Sequence, residues 1–334
     1  MTVLTFNDIY AARQRLEPVI ARTPLLAAPW ASCGHRSLLL KPENLQVTGS
    51  FKIRGVCNFL LRLPDAQRAR GVVVGSSGNH GRALAHAARQ EGVKATVVLP
   101  STTPEATIDS VTGQGAEVRL APARDCALLA EQLAEEHGHV LVPPFDDLDI
   151  IAGQATIGLE IAEEAVALGL DVATVLVPVG TGGLISGVAA ALKLTRPGIK
   201  VVGVEPELAA DAQESLHRGR RVSWPAERVG RTMADRLSTT TVGQLAFEHL
   251  RAFVDDIVTV TEDEIASSVT LLARHADMSV EPSAAVTAAA HLYHEHDLPA
   301  AGRQVAVISG RNIDPALLAR LREKPPLPFH NCTG

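Results

Sequence analysis

The sequence contains no apolar run long enough to span a lipid bilayer. The longest apolar stretch in the middle of the chain is VATVLVPV, residues 172–179, whereas a membrane-spanning helix needs about 20 residues. Near the start of the chain, acidic residues such as Asp8 and Glu17 interrupt the apolar ones, so no signal-peptide core can be drawn. We therefore expect a cytoplasmic protein that has no membrane partner.

Concentrated positive charge and paired cysteines are also missing. The formal net charge is −6 and no Lys/Arg-rich run occurs, which argues against a nucleic-acid partner because nucleic acids favour basic patches. The histidines at 137, 139, 291, 294 and 296 have no carboxylate ligand set around them and are interpreted mostly as solvated helix ends. No Cys-x-x-Cys pair occurs, so free thiols are expected rather than disulfides or a zinc site. The four cysteines are Cys33, Cys57, Cys126 and Cys332.

Short apolar segments alternate with helical patterns along most of the chain. This alternation predicts an α/β fold with two open, twisted, mostly parallel sheets that carry helices on both faces. The chain of 334 residues is long enough for two domains. The first helix is expected from an N-cap at Asn7 to about Arg22. Further strands are predicted at residues 72–74, 95–99, 115–120, 172–178, 200–204 and 305–308, and further helices at 82–90, 125–136, 154–168 and 184–194.

Two glycine-rich turns follow predicted strands, where parallel sheets bind their ligands. In GSSGNHG, residues 75–81, a tight backbone, two serines and a following helix start can hold a carboxylate or phosphate. In VGTGGLISG, residues 179–187, backbone N–H groups can form a phosphate nest. The second turn is not a Walker loop, and Ile185 replaces the third glycine of a dinucleotide fingerprint. For both, the alternative is a purely structural turn.

Lys52 lies beside an apolar helix stripe in VTGSFKIRGVCNFL, residues 47–60. Ile53, Val56, Cys57 and Leu60 have the spacing of one buried helix face. Taken alone, Lys52 would be interpreted as a surface lysine whose stem covers apolar residues. Together with a phosphate nest and an anion-binding loop, it completes the set of groups needed to hold pyridoxal phosphate (PLP) as a Schiff base.

Four motifs resemble those of fold-type II PLP enzymes, which share the fold of the tryptophan synthase β subunit. They are SFKIRG, SSGNHG, GTGGLISG and SGRN, at residues 50–55, 76–81, 180–187 and 309–312. The branch that they resemble is threonine/serine dehydratase and serine racemase, and the likeness extends from RTPL at 22–25 through AGQ at 152–154 and VEPS at 280–283. The resemblance implies that Lys52 binds PLP covalently and moves the α-proton.

The same resemblance implies roles for further residues. Cofactor contacts are implied for Phe51, for Asn79 at the 3′-hydroxyl, for Ser309 at the pyridine nitrogen, and for a phosphate loop of Gly180, Thr181, Gly182, Gly183 and Leu184. The substrate α-carboxylate would be bound by Ser76, Ser77, Gly78 and His80. In racemase-like members Ser77 is the acid/base on the face opposite the lysine.

A divalent-cation site and a domain division are implied as well. The segment EPELAAD matches one that binds a cation such as Mg²⁺ through Glu205, the carbonyl of Ala209, and Asp211. From the residues alone, the two carboxylates would be exposed and solvated. The implied domains are a large PLP-binding domain of residues 1–50 and 150–334 and a small mobile domain of residues 51–149. A homodimer is the family default. Only about 25 residues follow Ser309, so no C-terminal regulatory domain and no feedback by isoleucine are expected.

The chain departs from the family pattern at two positions. Arg236 in ADR and Arg311 in SGRN stand where relatives usually have glycine. If one of these arginines points inward, its guanidinium would bind a second carboxylate of the substrate. An acidic substrate such as 3-hydroxyaspartate would then be preferred over threonine. The alternative is that both side chains point outward and pair with acids such as Asp235 or Asp314.

The function expected from these features is dehydration and deamination of a 3-hydroxy amino acid (threonine, serine or 3-hydroxyaspartate) to a 2-oxo acid and ammonia. A serine-type amino-acid racemase that uses Lys52 and Ser77 is the nearest alternative. A nicotinamide-dependent dehydrogenase would explain the glycine loop but would leave SFKIRG without a role. A non-catalytic binding protein would leave Lys52 unmodified.

Overall fold

The protein forms two β-sheets connected and covered by helices. The computed structural model describes residues 2–32, 36–76, 78–299 and 302–329. The strands in these residues are β1 (Leu26–Ala27), β2 (Arg36–Pro42), β3 (Val72–Gly75), β4 (Ala95–Pro100), β5 (Glu117–Ala121), β6 (Val140–Leu141), β7 (Val172–Pro178), β8 (Lys200–Pro206), β9 (Asp256–Val260) and β10 (Gly302–Ile308).

The α-helices in the described residues include long core helices and short connecting turns. They are α1 (Phe6–Leu16), α2 (Lys52–Arg62), α3 (Asp65–Arg68), α4 (Asn79–Gln90), α5 (Glu105–Thr112), α6 (Cys126–His137), α7 (Leu148–Ala167), α8 (Gly183–Thr195), α9 (Asp211–Arg218), α10 (Ala226–Val229), α11 (Gln244–Phe253), α12 (Glu262–His275), α13 (Pro282–Tyr293) and α14 (Pro315–Glu323). None of these helices combines the length and apolar character needed to cross a membrane.

The larger sheet has six strands in the order β1-β2-β10-β7-β8-β9. All its neighbouring strands run parallel except β1, which pairs antiparallel with β2. The smaller sheet has the order β5-β4-β3-β6 and is entirely parallel. The prediction of an α/β fold with two mostly parallel sheets is therefore confirmed.

Helix α7 contacts both α2 and α8 at very short range. A Cβ atom added at Gly153 would lie 2.5 Å from the carbonyl oxygen of Arg54 and 2.6 Å from the Cα of Gly55. One added at Gly187 would lie 2.5 Å from the carbonyl oxygen of Ile151. Such close backbone packing is possible only where a side chain is missing. Helix α7 therefore holds two helices in place. These are α2, which begins at Lys52, and α8, which begins at the predicted phosphate loop.

The apolar stripe predicted on α2 is confirmed. Ile53, Val56, Cys57 and Leu60 are all buried and pack with residues of β3, α4 and β4. Two of the four cysteines lie in described residues, Cys57 and Cys126, and both are free and buried thiols, as predicted. Cys33 and Cys332 lie outside the described residues.

The predicted bounds of the first helix and the predicted environment of His291 were wrong. Helix α1 is capped by Thr5, whose hydroxyl accepts a hydrogen bond from the N–H of Asp8, and not by Asn7. It ends at Leu16 rather than Arg22. Glu17 is still in the helical conformation, but Pro18 has no N–H to donate the next hydrogen bond of the helix. His291 is buried rather than solvated, with its ring nitrogens 2.8 Å from the side-chain oxygen of Gln304 and the carbonyl of Ala31.

Candidate active site

A cavity of about 410 Å³ lies beyond the carboxyl ends of β3, β7 and β10, as expected for a parallel α/β sheet. It collects residues that are far apart in sequence. Of the predicted site residues, the cavity is lined by Phe51, Lys52, Ser76, Gly78, Asn79, His80, Gly180, Thr181, Gly182, Gly183, Leu184, Arg236 and Ser309. Ser77, which was predicted as both a catalytic and a substrate-binding residue, lies outside the described residues.

Lys52 is the first residue of α2, and its amine reaches into the cavity. The Nζ atom donates a hydrogen bond to the carbonyl of Pro144 at 2.9 Å and lies 5.3 Å from the centre of the Phe51 ring. Burial lowers the pKa of this amine to about 8. Near neutral pH, the neutral and nucleophilic form of this amine is therefore more abundant than in an ordinary lysine.

The predicted phosphate loop forms the turn between β7 and α8. Gly182 has φ +90°, and a Cβ atom there would lie 2.7 Å from the Cβ of Ala246, so only glycine fits. No backbone N–H of residues 180–182 donates to another described residue, and the first turn of α8 leaves further N–H groups without intrahelical acceptors. The loop can thus present several donors, together with the positive helix end, to a phosphate.

The predicted anion-binding segment of residues 75–81 includes the end of β3 and the start of α4, and its residue 77 lies outside the described residues. The Ser76 hydroxyl accepts a hydrogen bond from the N–H of Gly81 at 3.3 Å. His80 is buried, and burial together with the charge of Lys52 lowers the pKa of its imidazole to about 3. A neutral imidazole and the first N–H groups of α4 therefore face the cavity, an arrangement suited to a carboxylate.

Glu281 and Asn312 were not predicted as site residues, although VEPS and SGRN contain them. Asn79 donates to the Oε1 of Glu281 at 2.8 Å, and Asn312 donates to the Oδ1 of Asn79 at 2.6 Å. Burial raises the pKa of the Glu281 carboxyl to about 7, against the effect of the nearby Arg236 charge. These bonds hold Asn79 in one orientation at the cavity wall.

Ser309 follows β10 and is buried at the cavity floor. Its carbonyl accepts a hydrogen bond from the N–H of Phe51 at 3.1 Å. This bond links the end of β10 to the residue before Lys52. The position of the lysine is therefore fixed from the sheet side as well as by the packing of α2.

The two arginines that depart from the family pattern lie in different places. Arg236 lines the cavity and contacts the backbone of Gly78. Arg311 lies outside the cavity, in a separate pocket of about 400 Å³ beside α4, and donates to the carbonyl of Asn44 at 2.8 Å. The expectation that Arg311 contacts the substrate is therefore wrong, because its backbone at Gly310–Asn312 turns the side chain away, with the Arg311 N–H bonded to Gly49.

Glu205 and Asp211 are fully buried at the end of β8 and the start of α9, not exposed as their sequence alone suggests. Glu205 accepts hydrogen bonds from the N–H groups of Ala212 and Gln213 at 3.1 and 2.8 Å. Burial raises the pKa of both carboxyls, that of Asp211 to about 7. The backbone N–H groups of Asp211 and Val242 act against this rise for Asp211, but no hydrogen bond of ordinary geometry reaches its carboxylate oxygens among the described residues. In these residues no cluster of three or more acidic, histidine or cysteine side chains forms a metal site.

Comparison with known proteins gives one consistent family. The sequence model described as "Pyridoxal-phosphate dependent enzyme" matches residues 16–310. The chain belongs to the PLP-dependent enzyme family. The resemblance inferred from the four motifs is confirmed.

Individual members of the family are similar over nearly the whole chain. An L-threonine ammonia-lyase from Thermotoga maritima is 41% identical, with 96% of this chain and 79% of that protein aligned. A serine racemase from Dictyostelium discoideum is 38% identical over 96% of this chain and 98% of that protein. The crystal structure of a threonine deaminase from T.th. matches 93% of this chain and 99% of its own, with 41% identity and a TM-score of 0.87.

The cavity of this PLP-family chain fits the family cofactor. The glycine-only cradle at Gly182, with unbonded N–H groups around it, suits the phosphate, and the amine of Lys52 opens into the same cavity. Glu205 and Asp211 supply buried, hard oxygen ligands, and this chemistry fits a divalent cation, although Glu205 also accepts two backbone hydrogen bonds.

Proposed function

We propose that this protein is a PLP-dependent ammonia-lyase that converts a 3-hydroxy amino acid to a 2-oxo acid and ammonia. The observation that carries the proposal is the amine of Lys52, which has a lowered pKa and shares one cavity with a phosphate cradle and an anion-binding loop. The relatives named as threonine ammonia-lyase and threonine deaminase support this reaction class.

Residues of the protein bind the reactants and move protons during the reaction. Bound PLP supplies the electron sink that stabilises negative charge at the substrate Cα. The Nζ of Lys52 takes the α-proton, the C–O bond at Cβ breaks, and the hydroxyl leaves as water after it receives a proton. Water then hydrolyses the C–N bond of the enamino acid, so the net products are one 2-oxo acid and one ammonia, with no oxidant or reductant consumed.

The remaining cavity residues are assigned by what they can donate. Residues 180–184 would hold the cofactor phosphate through backbone N–H groups, and Asn79, fixed by Glu281, would hold the 3′-hydroxyl of the cofactor. Ser309 would hold the pyridine nitrogen. Ser76, Gly78 and His80, together with Ser77, bind the substrate α-carboxylate.

Cofactor binding is tested by absorbance and borohydride trapping. Purified protein reconstituted with PLP should absorb in the visible region, and borohydride should fix the cofactor on the peptide that contains Lys52. Lys52→Ala should lose the covalent product but keep the wild-type far-UV circular dichroism, because the α2 stripe is unchanged. Reduction that labels another lysine would contradict the assignment.

Amino-acid racemisation is the second candidate function, favoured by the serine racemase relative. In it, Lys52 and Ser77 exchange the α-proton on opposite faces. After incubation with L-serine, chiral analysis of the serine that remains distinguishes the two reactions, because only racemisation forms D-serine. If both occur, Ser77→Ala should slow racemisation much more than elimination from the L-isomer. Equal losses would argue against a separate role for Ser77.

We also propose a bound divalent cation at Glu205, the Ala209 carbonyl and Asp211, and a homodimeric assembly. The buried carboxylate of Asp211, whose oxygens receive no hydrogen bond of ordinary geometry from the described residues, supports the cation. The homodimer is proposed from the family resemblance alone. Size-exclusion chromatography with light scattering measures the mass of the assembly. A monomer mass at working concentration would contradict it.

A further inference from the structure

We propose that Arg236 makes the enzyme selective for an acidic substrate by binding a second carboxylate, carried on Cβ of the 3-hydroxy amino acid. The substrate class that this predicts is 3-hydroxyaspartate rather than threonine or serine. This inference rests on the proposed lyase function and specifies its substrate. The reaction is otherwise unchanged: water and then ammonia are released, and the 2-oxo product keeps the second carboxylate.

The guanidinium of Arg236 is placed in the cavity by its backbone and by the loop that it contacts. The backbone N–H of Arg236 donates to the hydroxyl of Ser283 at 3.0 Å. Its side chain lies against Gly78, where an added Cβ atom would be 2.7 Å from the Cζ and 2.9 Å from the Nη2 of the guanidinium. The missing side chain of Gly78 thus makes room for the arginine beside the start of α4.

Arg236 brings a guanidinium group to the cavity. Among the described residues that line the cavity, the lysines and arginines are Lys52 and Arg236, and Lys52 is used for cofactor chemistry. The carboxylate of Asp235 lies 3.5 Å from the Nε of Arg236, but its side chain is 61% exposed, so water screens the pair. Glu281 is buried near Arg236, and its raised pKa leaves it partly neutral at pH 7.

Besides the phosphate loop of residues 180–184, the cavity offers two places for an anion. The first is the loop of residues 75–81, where Ser76 and the N–H groups at the start of α4 can bind the α-carboxylate that every amino-acid substrate carries. The second is the guanidinium of Arg236, whose planar donors match a carboxylate. Threonine brings one carboxylate to these two places, whereas 3-hydroxyaspartate brings two. Full use of the site therefore requires an acidic substrate.

The test compares kcat/KM of PLP-loaded enzyme for 3-hydroxyaspartate with that for L-threonine. The wild type should prefer the acidic substrate. Arg236→Gly should lower the ratio of the two values by about 30- to 1,000-fold, the size expected for a desolvated charged hydrogen bond. Arg236→Lys should give an intermediate ratio, because it keeps the charge and loses the planar fork. Arg311→Gly, the matched change outside the cavity, should keep the wild-type ratio.

Calorimetric binding of succinate and butyrate gives a readout that does not need turnover. The wild type should bind succinate more tightly than butyrate, and Arg236→Gly should remove the difference. Equal losses for both substrates would assign Arg236 to the α-carboxylate and overturn the proposal, as would a threonine preference that Arg236→Gly leaves unchanged. Absence of turnover on every hydroxy amino acid, with the succinate preference intact, would overturn the lyase function but not the second anion site.

Discussion

Two lysines illustrate how the surroundings of a single residue decide its chemistry. The amine of Lys41 is fully buried and bonded to the carboxylate of Glu160 at 2.6 Å. Lys52 has a carbonyl instead, that of Pro144, and an open cavity in front of its amine. Burial lowers the pKa of both amines, but the amine of Lys41 is held by a carboxylate that favours its charged form, whereas the amine of Lys52 opens into the cavity. Lys52 is therefore the lysine suited to nucleophilic chemistry.

The lowered pKa of Lys52 predicts an unusual labelling profile. In cofactor-free protein, acylation of Lys52 should reach half of its maximum rate at a pH near 8, because only the neutral amine reacts. The measurement is competitive labelling over a pH series with peptide mass spectrometry, and the exposed Lys94 serves as the internal reference for reagent decay. A half-maximum above pH 10, the range of an ordinary lysine, would show that the amine is not desolvated.

Among the helices and strands, those with a continuous apolar pattern were predicted best from the sequence. Strand β7 was predicted with its observed bounds, Val172–Pro178, because an unbroken apolar run ends at a glycine turn. Strands β2 and β9 were not predicted, although both pair within the larger sheet. Helix α7 begins six residues before its predicted start because Asp147 caps it, accepting from the N–H groups of Asp149 and Ile150. Such caps depend on local geometry that apolar periodicity does not contain.

The close packing of α2 on α7 predicts a cost for a small substitution. Gly153→Ala should lower the free energy of unfolding by about 1–3 kcal/mol, because the new methyl group would overlap the backbone of Arg54 and Gly55. Urea unfolding measures this value. Gly198→Ala is the matched control, since no heavy atom lies within 4 Å of a Cβ there, and it should change stability by less than about 0.5 kcal/mol. Equal values for the two variants would contradict the contact.

The cavity of the folded molecule is lined by residues that follow strands of both sheets. The motifs predicted most of the lining, because each lies at the end of a strand or the start of a helix. What they did not predict is which side chains meet across the chain. Asn79 and Glu281 bond across the cavity wall, and Arg236 enters the cavity while Arg311 does not. These differences depend on the course of loops, which one residue's identity does not determine. The mobility of residues 51–149 stays a prediction.

The proposed cation should stabilise the folded molecule as a whole. A ligand that binds only the folded state adds about 2.7 kcal/mol at a concentration 100 times its Kd. Chelator treatment should therefore lower the Tm, and added Mg²⁺ should restore it. Asp211→Asn should remove this response, because its carboxylate is a proposed ligand. An unchanged Tm, with no metal by elemental analysis, would rule out the site.

The proposed release of ammonia from a 3-hydroxy amino acid depends on the amine of Lys52. Its most direct test is the quantification of 2-oxo acid and ammonia from PLP-loaded protein supplied with L-threonine, L-serine or 3-hydroxyaspartate. For the wild type we expect equal amounts of the two products from at least one substrate, and for Lys52→Ala we expect no product. Failure of the PLP-loaded wild type to form a 2-oxo acid from any of the three, or equal turnover by Lys52→Ala, would contradict it.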